Sequence, residues 1–177
     1  MAATGAKVDF QQSRPKAASV PVFPVPSLPC HIHDGMPLHI ALLEDESAIA
    51  RSFELMSVLR PHLQRESYVA TVLRLMDTGY RLVGLEDGGL RALAGVRTGE
   101  WLHAGRYLEV EELVTGEADR SRGYGRALLA WIADHARSQG CRQVRLVSGV
   151  RRVDAHRFYE REGMVWEAKY FSMDVGT

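Results

Sequence analysis

The residues of this 177-residue chain best suited to chemistry are Arg120-Ser121-Arg122-Gly123-Tyr124-Gly125. They join an apolar, strand-like run (107–115) to a helix-like run (126–139). Glycines remove the Cβ atoms that would hold a ligand away from the backbone. A helix start adds unpaired N–H donors and a partial positive charge. The combination is a site for a phosphate or pyrophosphate. Two familiar phosphate loops are excluded by the residues themselves. A dinucleotide fingerprint needs a third glycine where Leu128 stands, and an acid at the end of the next strand, which here ends in Ser148-Gly149. A nucleoside-triphosphate loop needs Gly-Lys-Ser/Thr, which the chain lacks.

Charge is distributed so as to serve such a ligand. The chain has no net charge, yet residues 120–161 hold ten arginines against Asp134, Asp154 and Glu160, so that segment is +7 and the remainder −7. A basic half suits an anionic ligand. The acids just before it (Glu109, Glu111, Glu112, Glu117 and Asp119) suit a cationic one. The basic segment has no series of stacking aromatics, so no nucleic-acid partner is expected. No apolar run reaches the length of a membrane span, and the N-terminus lacks a secretory pattern. Two cysteines, Cys30 and Cys141, make no disulfide framework, which points to a reduced, cytoplasmic setting.

The elements that must position the loop read as follows. Residues 1–36 form a proline-rich tail, with six of the seven prolines between Pro15 and Pro37. Its His31 and His33 beside Cys30 have no second ligand cluster, so no metal is expected. The domain, 37–177, begins with a strand at 38–43. Two helices at 45–62 and 64–77 follow, separated by Arg60-Pro61. Strands are expected at 80–85 and 90–97 around the turn Asp87-Gly88-Gly89, and at 107–115. After the loop come a helix, a strand at 143–147, a short helix at 154–162 and a final strand at 165–175. The order predicts a single α/β domain with a mixed, mostly antiparallel sheet that crosses over through helices late in the chain. Its edge strands and the tail offer surfaces through which two copies could form a homodimer.

Two motifs in this order resemble the GNAT superfamily of N-acetyltransferases. The family's acyl-CoA signature, Arg/Gln-x-x-Gly-x-Gly/Ala, reads here Arg120-x-x-Gly123-x-Gly125. Residues 112–115 resemble its fourth strand. Ala155-x-x-x-Tyr159-x-x-x-Gly163-Met164 resembles its later Ala-x-x-x-Tyr-x-x-x-Gly-Phe segment. The resemblance implies a GNAT-like fold, a twisted sheet flanked by helices, with acetyl-CoA as co-substrate. It implies that backbone amides of Arg120, Ser121, Arg122, Gly123, Tyr124, Gly125, Arg126 and Ala127 hold a pyrophosphate. It also implies that Leu113, Val114 and Thr115 pair with the pantetheine arm as an added strand would. The sequence departs from the family at Arg152, where an asparagine is common, so either Arg152 supplies a phosphate contact in its place or the cofactor is held differently at this end.

What the resemblance implies chemically is direct attack of an amine on the thioester in a ternary complex. The acceptor would be a primary amine on a small molecule or a protein. Tyr159 is the expected proton donor to the departing sulfur. Glu112 and then Glu111 are the candidate bases. Simple alternation puts Glu112 with Leu108, Val110 and Val114, and Glu109 and Glu111 opposite. A bulge, which the family commonly has in this strand, would break that pattern. The acceptor is expected near Phe53, Arg60, His62 and Tyr68, with Trp101 and His103 close by. The rival reading is a non-catalytic acyl-CoA-binding regulatory domain.

Overall fold

A computed structural model describes residues 38–176. The expected tail at 1–36, with Cys30, His31 and His33, lies outside the described residues.

The first helix, α1 (Glu46–Leu59), begins where the Asp45 side chain accepts from the Ala48 amide at 2.8 Å. Hydrogen bonds from Ser47 and that amide hold the Asp45 carboxyl below its ordinary range. Ile49, Phe53 and Met56 are buried at helical spacing, and the helix stops before Pro61. Helix α2 (Arg65–Met76) buries Tyr68 and Val72 and ends at Gly79, whose φ of 92° turns the chain into the sheet.

Strands β1 (His39–Leu42), β2 (Tyr80–Glu86), β3 (Leu90–Trp101), β4 (Gly105–Thr115) and β5 (Gln143–Leu146) lie in that order across one sheet. The first four pair antiparallel, and β5 joins β4 in parallel. The crossover between β4 and β5 is helix α3 (Tyr124–Ser138), and α4 (Val153–Arg161) follows β5. One core lies between the sheet and α1–α2, around Ile49, Leu82 and Leu93. The other lies beneath α3, around Leu108, Leu128 and Ile132. No helix of the described residues is long and apolar enough to cross a membrane.

The structure differs from the sequence expectation in two places. The β3–β4 hairpin extends well past residue 97, to Trp101 and Gly105, because Tyr107 packs over the bare backbone of its cross-strand partner Gly99. The final strand expected at 165–175 is absent. Residues 164–176 pair with none of the five strands, and Trp166, Tyr170, Phe171 and Met173 are exposed. Apolar residues fall on both parities of that run, so its composition favours strand without naming a partner.

Candidate active site

The loop before α3 has the backbone geometry of an anion cradle. After a single 3₁₀ turn (Glu117–Asp119), Ser121 takes φ 64° and Gly123 φ 87°, two left-handed residues around Arg122. Alternating handedness of this kind turns successive N–H groups towards one concavity. Among the described residues, the backbone N–H groups from Ser121 to Arg126 have no protein acceptor. The Arg120 and Ala127 amides are different: Arg120 donates to Glu117 O at 3.4 Å in the 3₁₀ turn and Ala127 to Gly123 O at 2.9 Å, closing the first turn of α3, so both are already engaged.

The cradle is fixed from beneath by contacts that sequence analysis did not identify. The buried Tyr124 hydroxyl donates to Asp87 Oδ2 at 2.6 Å. Buried Asp119 lies between Arg122 Nη1 at 3.2 Å and Arg91 Nη1 at 3.7 Å. Arg122 therefore braces the loop. Arg126 reaches Glu162 at the end of α4 (3.3 Å), and Arg120 pairs with Glu117 at 3.6 Å on the surface.

Next to the cradle the sheet opens. Strand β5 pairs with β4 only from Tyr107 to Val110, so beyond Val110 the β4 edge that carries Leu113, Val114 and Thr115 has no strand beside it. A cleft of about 270 Å³ fills the split and is lined by Arg60, Glu111, Leu113, Leu146, Arg152 and Tyr159. That is slightly under the ~300–1,000 Å³ of small-molecule pockets, room for the reacting ends of two ligands. Tyr159 is half-buried on α4. Burial pushes its phenol above the ordinary value, against a smaller opposing effect of the Arg152 charge. It therefore stays protonated at neutral pH.

The two candidate bases occupy different places. Register shifts between Gly95 and Val96, which face Glu112 and Val110, so Glu111 is the extra residue of a β-bulge. The bulge changes parity along β4: Leu108 and Val110 lie in the α3 core, Val114 in the α1–α2 core. Simple alternation, which grouped these three with Glu112, is thereby corrected. Glu112 turns towards α1–α2, where Tyr80 Oη donates to its Oε2 at 2.9 Å and Arg60 Nη2 to its Oε1 at 3.1 Å. Burial, reinforced by the Glu112 charge, drives the Tyr80 phenol far above its ordinary value, so it remains a donor. Both Glu112 oxygens are thus occupied. Glu111 lines the cleft with Tyr159, and its Oε1 accepts from Arg97 Nε at 2.6 Å.

Of the residues expected around an acceptor, the structure brings only Arg60 to the cleft. Phe53 and Tyr68 are core residues, packed edge to face at 5.3 Å, with the Tyr68 hydroxyl 2.8 Å from Ser52 Oγ. His62 is exposed beyond α1. Trp101 and His103 stack on each other at 4.8 Å in the β3–β4 hairpin, outside the cleft. Tyr80 and Arg97, which hold the two glutamates, were not identified from sequence. A glycine inside a strand signals close approach of a neighbour, and Gly95 was that signal: the Tyr80 hydroxyl and Glu112 carboxylate occupy the space its side chain would fill. Arg97 had no such signal. Among the described residues no three His, Cys, Asp or Glu side chains gather as a metal site.

Comparison with known proteins agrees with this geometry. The sequence profile described as the Acetyltransferase (GNAT) family matches residues 43–164. An uncharacterized N-acetyltransferase, YhdJ of Bacillus subtilis, is 36% identical over 141 residues, 78% of this chain and 99% of that protein. The aminoalkylphosphonate N-acetyltransferase of Salmonella typhimurium is 34% identical over 100 residues, 56% of this chain and 64% of that protein. Among solved structures, the aminoglycoside N-acetyltransferase AAC(6')-Iy in complex with CoA superposes with a TM-score of 0.68 at 13% identity, covering 81% of this chain and 100% of that one. At that identity the likeness is one of fold.

Proposed function

The chain belongs to the GNAT acetyltransferase family, and from that premise we propose that it transfers an acetyl group from acetyl-CoA to a primary amine by direct attack within a ternary complex. One observation carries the reading. The unpaired amides of Ser121 to Arg126 open beside the end of the unpaired β4 edge, where Gly125 lies against Thr115 and Phe158, and Leu113 on that edge lines one cleft with Tyr159. An anion cradle, a free strand edge and a protonated phenol are what a pyrophosphate, an amide-bearing arm and a departing thiolate each require. The complex of AAC(6')-Iy with CoA supports the same cofactor for this fold. Acetyl-CoA supplies the activated acyl group.

The chain's own groups divide the remaining work. The amine must lose a proton, because an alkylammonium has a pKa of ~10 and its nitrogen pair is blocked. Glu111 takes that proton, directly or through one water, since Glu111 lines the cleft and among the described residues its Oε2 has no donor, while both oxygens of Glu112 are engaged. Glu112 instead fixes Arg60, whose Nη2 also donates to the Glu111 carbonyl at 3.2 Å and so secures the bulge. Tyr159 hands its proton to the departing sulfur, and Arg152 lends charge at the cofactor's side of the cleft.

The acceptor is an amine on a small molecule or a protein. The Salmonella relative's named substrates join an amine to an anionic group. Arg60 lines this cleft, and among the described residues its Nη1 has no acceptor, so amines bearing a phosphonate, phosphate or carboxylate lead the screen. The test is mass-spectrometric detection of acetylated product from acetyl-CoA and an amine library. Tyr159→Phe and Glu111→Gln should each cut turnover by about tenfold or more. Tight acetyl-CoA binding without product from any amine would favour the regulatory alternative.

A further inference from the structure

We infer that Arg97 is a positioning residue for Glu111, fixing the carboxylate that receives the amine's proton; this rests on the assignment of Glu111 made above. The problem it answers is created by the bulge. Glu111 has no residue opposite it on β3. A ladder neighbour normally restricts a strand side chain, and an extra residue lacks one. Its carboxylate would therefore sample several rotamers over the cleft, and a proton acceptor that wanders by an ångström loses much of its value.

Arg97 supplies the missing constraint. Its Nε donates to Glu111 Oε1 at 2.6 Å, and the ion pair is about as exposed on one side (28%) as on the other (30%). The guanidinium is itself held at its far end. Nη1 donates to the Thr78 carbonyl at 2.6 Å and to Thr78 Oγ1 at 2.9 Å, and its carbon stands 5.7 Å over the Tyr80 ring. Thr78 is fixed in turn, its hydroxyl donating to Leu75 O at 2.8 Å at the end of α2. A continuous chain of contacts thus runs from the α2–β2 turn to one oxygen of the bulge residue. Among the described residues, no side-chain donor reaches the other oxygen, Oε2. One oxygen is clamped and the other is available. A planar, forked cation can be held at one end while it orients a carboxylate at the other, which a lysine cannot do as well. A partly exposed ion pair adds only modestly to stability, so its removal should leave the protein folded.

The test is a double-mutant cycle on the full chain with acetyl-CoA and the best amine from the screen. Arg97→Met should lower kcat about 10- to 100-fold, with the KM for acetyl-CoA unchanged. In a Glu111→Gln background the same change should cost less than about twofold, because there is no longer a carboxylate to place. Arg97→Lys should restore part of the loss. Thr78→Val, on an exposed turn, removes one anchor of the clamp; it should lower kcat about two- to threefold, and not in the Glu111→Gln background. It carries the same cycle should Arg97→Met fail to fold. Losses that add across the cycle, or that fall on the acetyl-CoA KM, would overturn the role of Arg97 while leaving Glu111 in place. Full turnover in Glu111→Gln alone would remove the assignment of Glu111 and this inference with it.

Discussion

Gly125→Ala should move stability and cofactor affinity in opposite directions. Gly125 is the second residue of α3, with a half-buried backbone of ordinary handedness. A Cβ built there meets the Phe158 ring and Thr115 Oγ1, both at 3.5 Å, which is normal contact. The protein alone accommodates a methyl. Replacing a helical glycine with alanine gains about 0.5–1 kcal/mol in a helix interior, with the lower end fitting the first turn. The urea midpoint should therefore hold or rise slightly. The methyl, however, points into the gap between the end of β4 and α4, next to the unpaired amides of the cradle. Hydrogen bonds to a charged group are worth about 1.5–3 kcal/mol. Losing one such contact weakens binding about 10- to 150-fold. Isothermal titration of acetyl-CoA into wild type and variant, beside urea unfolding of both, reads the two quantities separately. An unchanged dissociation constant would show that the ligand does not approach the backbone at this point, and the cradle reading would fail. Equal loss of stability and affinity would also refute the reasoning, since the methyl would then be clashing with the protein.

Three further outcomes follow from the same structure. Gly95→Ala would force a methyl into the Tyr80 hydroxyl and the Glu112 carboxylate; overpacking of this kind costs about 1–3 kcal/mol, visible as a lower urea midpoint, and an unchanged midpoint would mean the pair is free to move aside. Burial holds the phenols of Tyr68, Tyr80 and Tyr159 above their ordinary value. The unfolded chain therefore releases these protons first, near pH ~10, so their contribution to stability is whole below that pH and is lost as pH rises above it. The melting temperature should fall steeply beyond pH ~10, and less steeply in Tyr80→Phe; parallel curves would count against a buried Tyr80. Arg152→Ala should raise the acetyl-CoA KM and leave kcat at saturation near wild type, whereas an unchanged KM would make Arg152 a surface charge.

Particular residues show where sequence reasoning worked and where it stopped. The cradle was legible because its requirements are local: glycines for backbone exposure and left-handed φ, and a helix start for free N–H groups, are all properties of six adjacent positions. Gly123 has the left-handed φ its type permits. Helices α1 to α4 and all five strands were legible from periodicity and breakers, which are also local. The choice between Glu111 and Glu112 was not. It depends on the bulge, and a bulge exists only as a mismatch in count between β4 and its partner β3. Phe53 and Tyr68 were expected near the acceptor because they lie on the helices thought to cover it. Only the packing of those helices turned them into the core. Ten arginines in one segment announced a basic surface, but the fold spends Arg122 on Asp119 and Arg126 on Glu162. The sequence by itself determined the family, the order of elements as far as α4 and the glycine loop that opens α3. Tertiary structure alone decided which glutamate lines a cleft with Tyr159, because that is set by register between strands and by partners far apart in the chain.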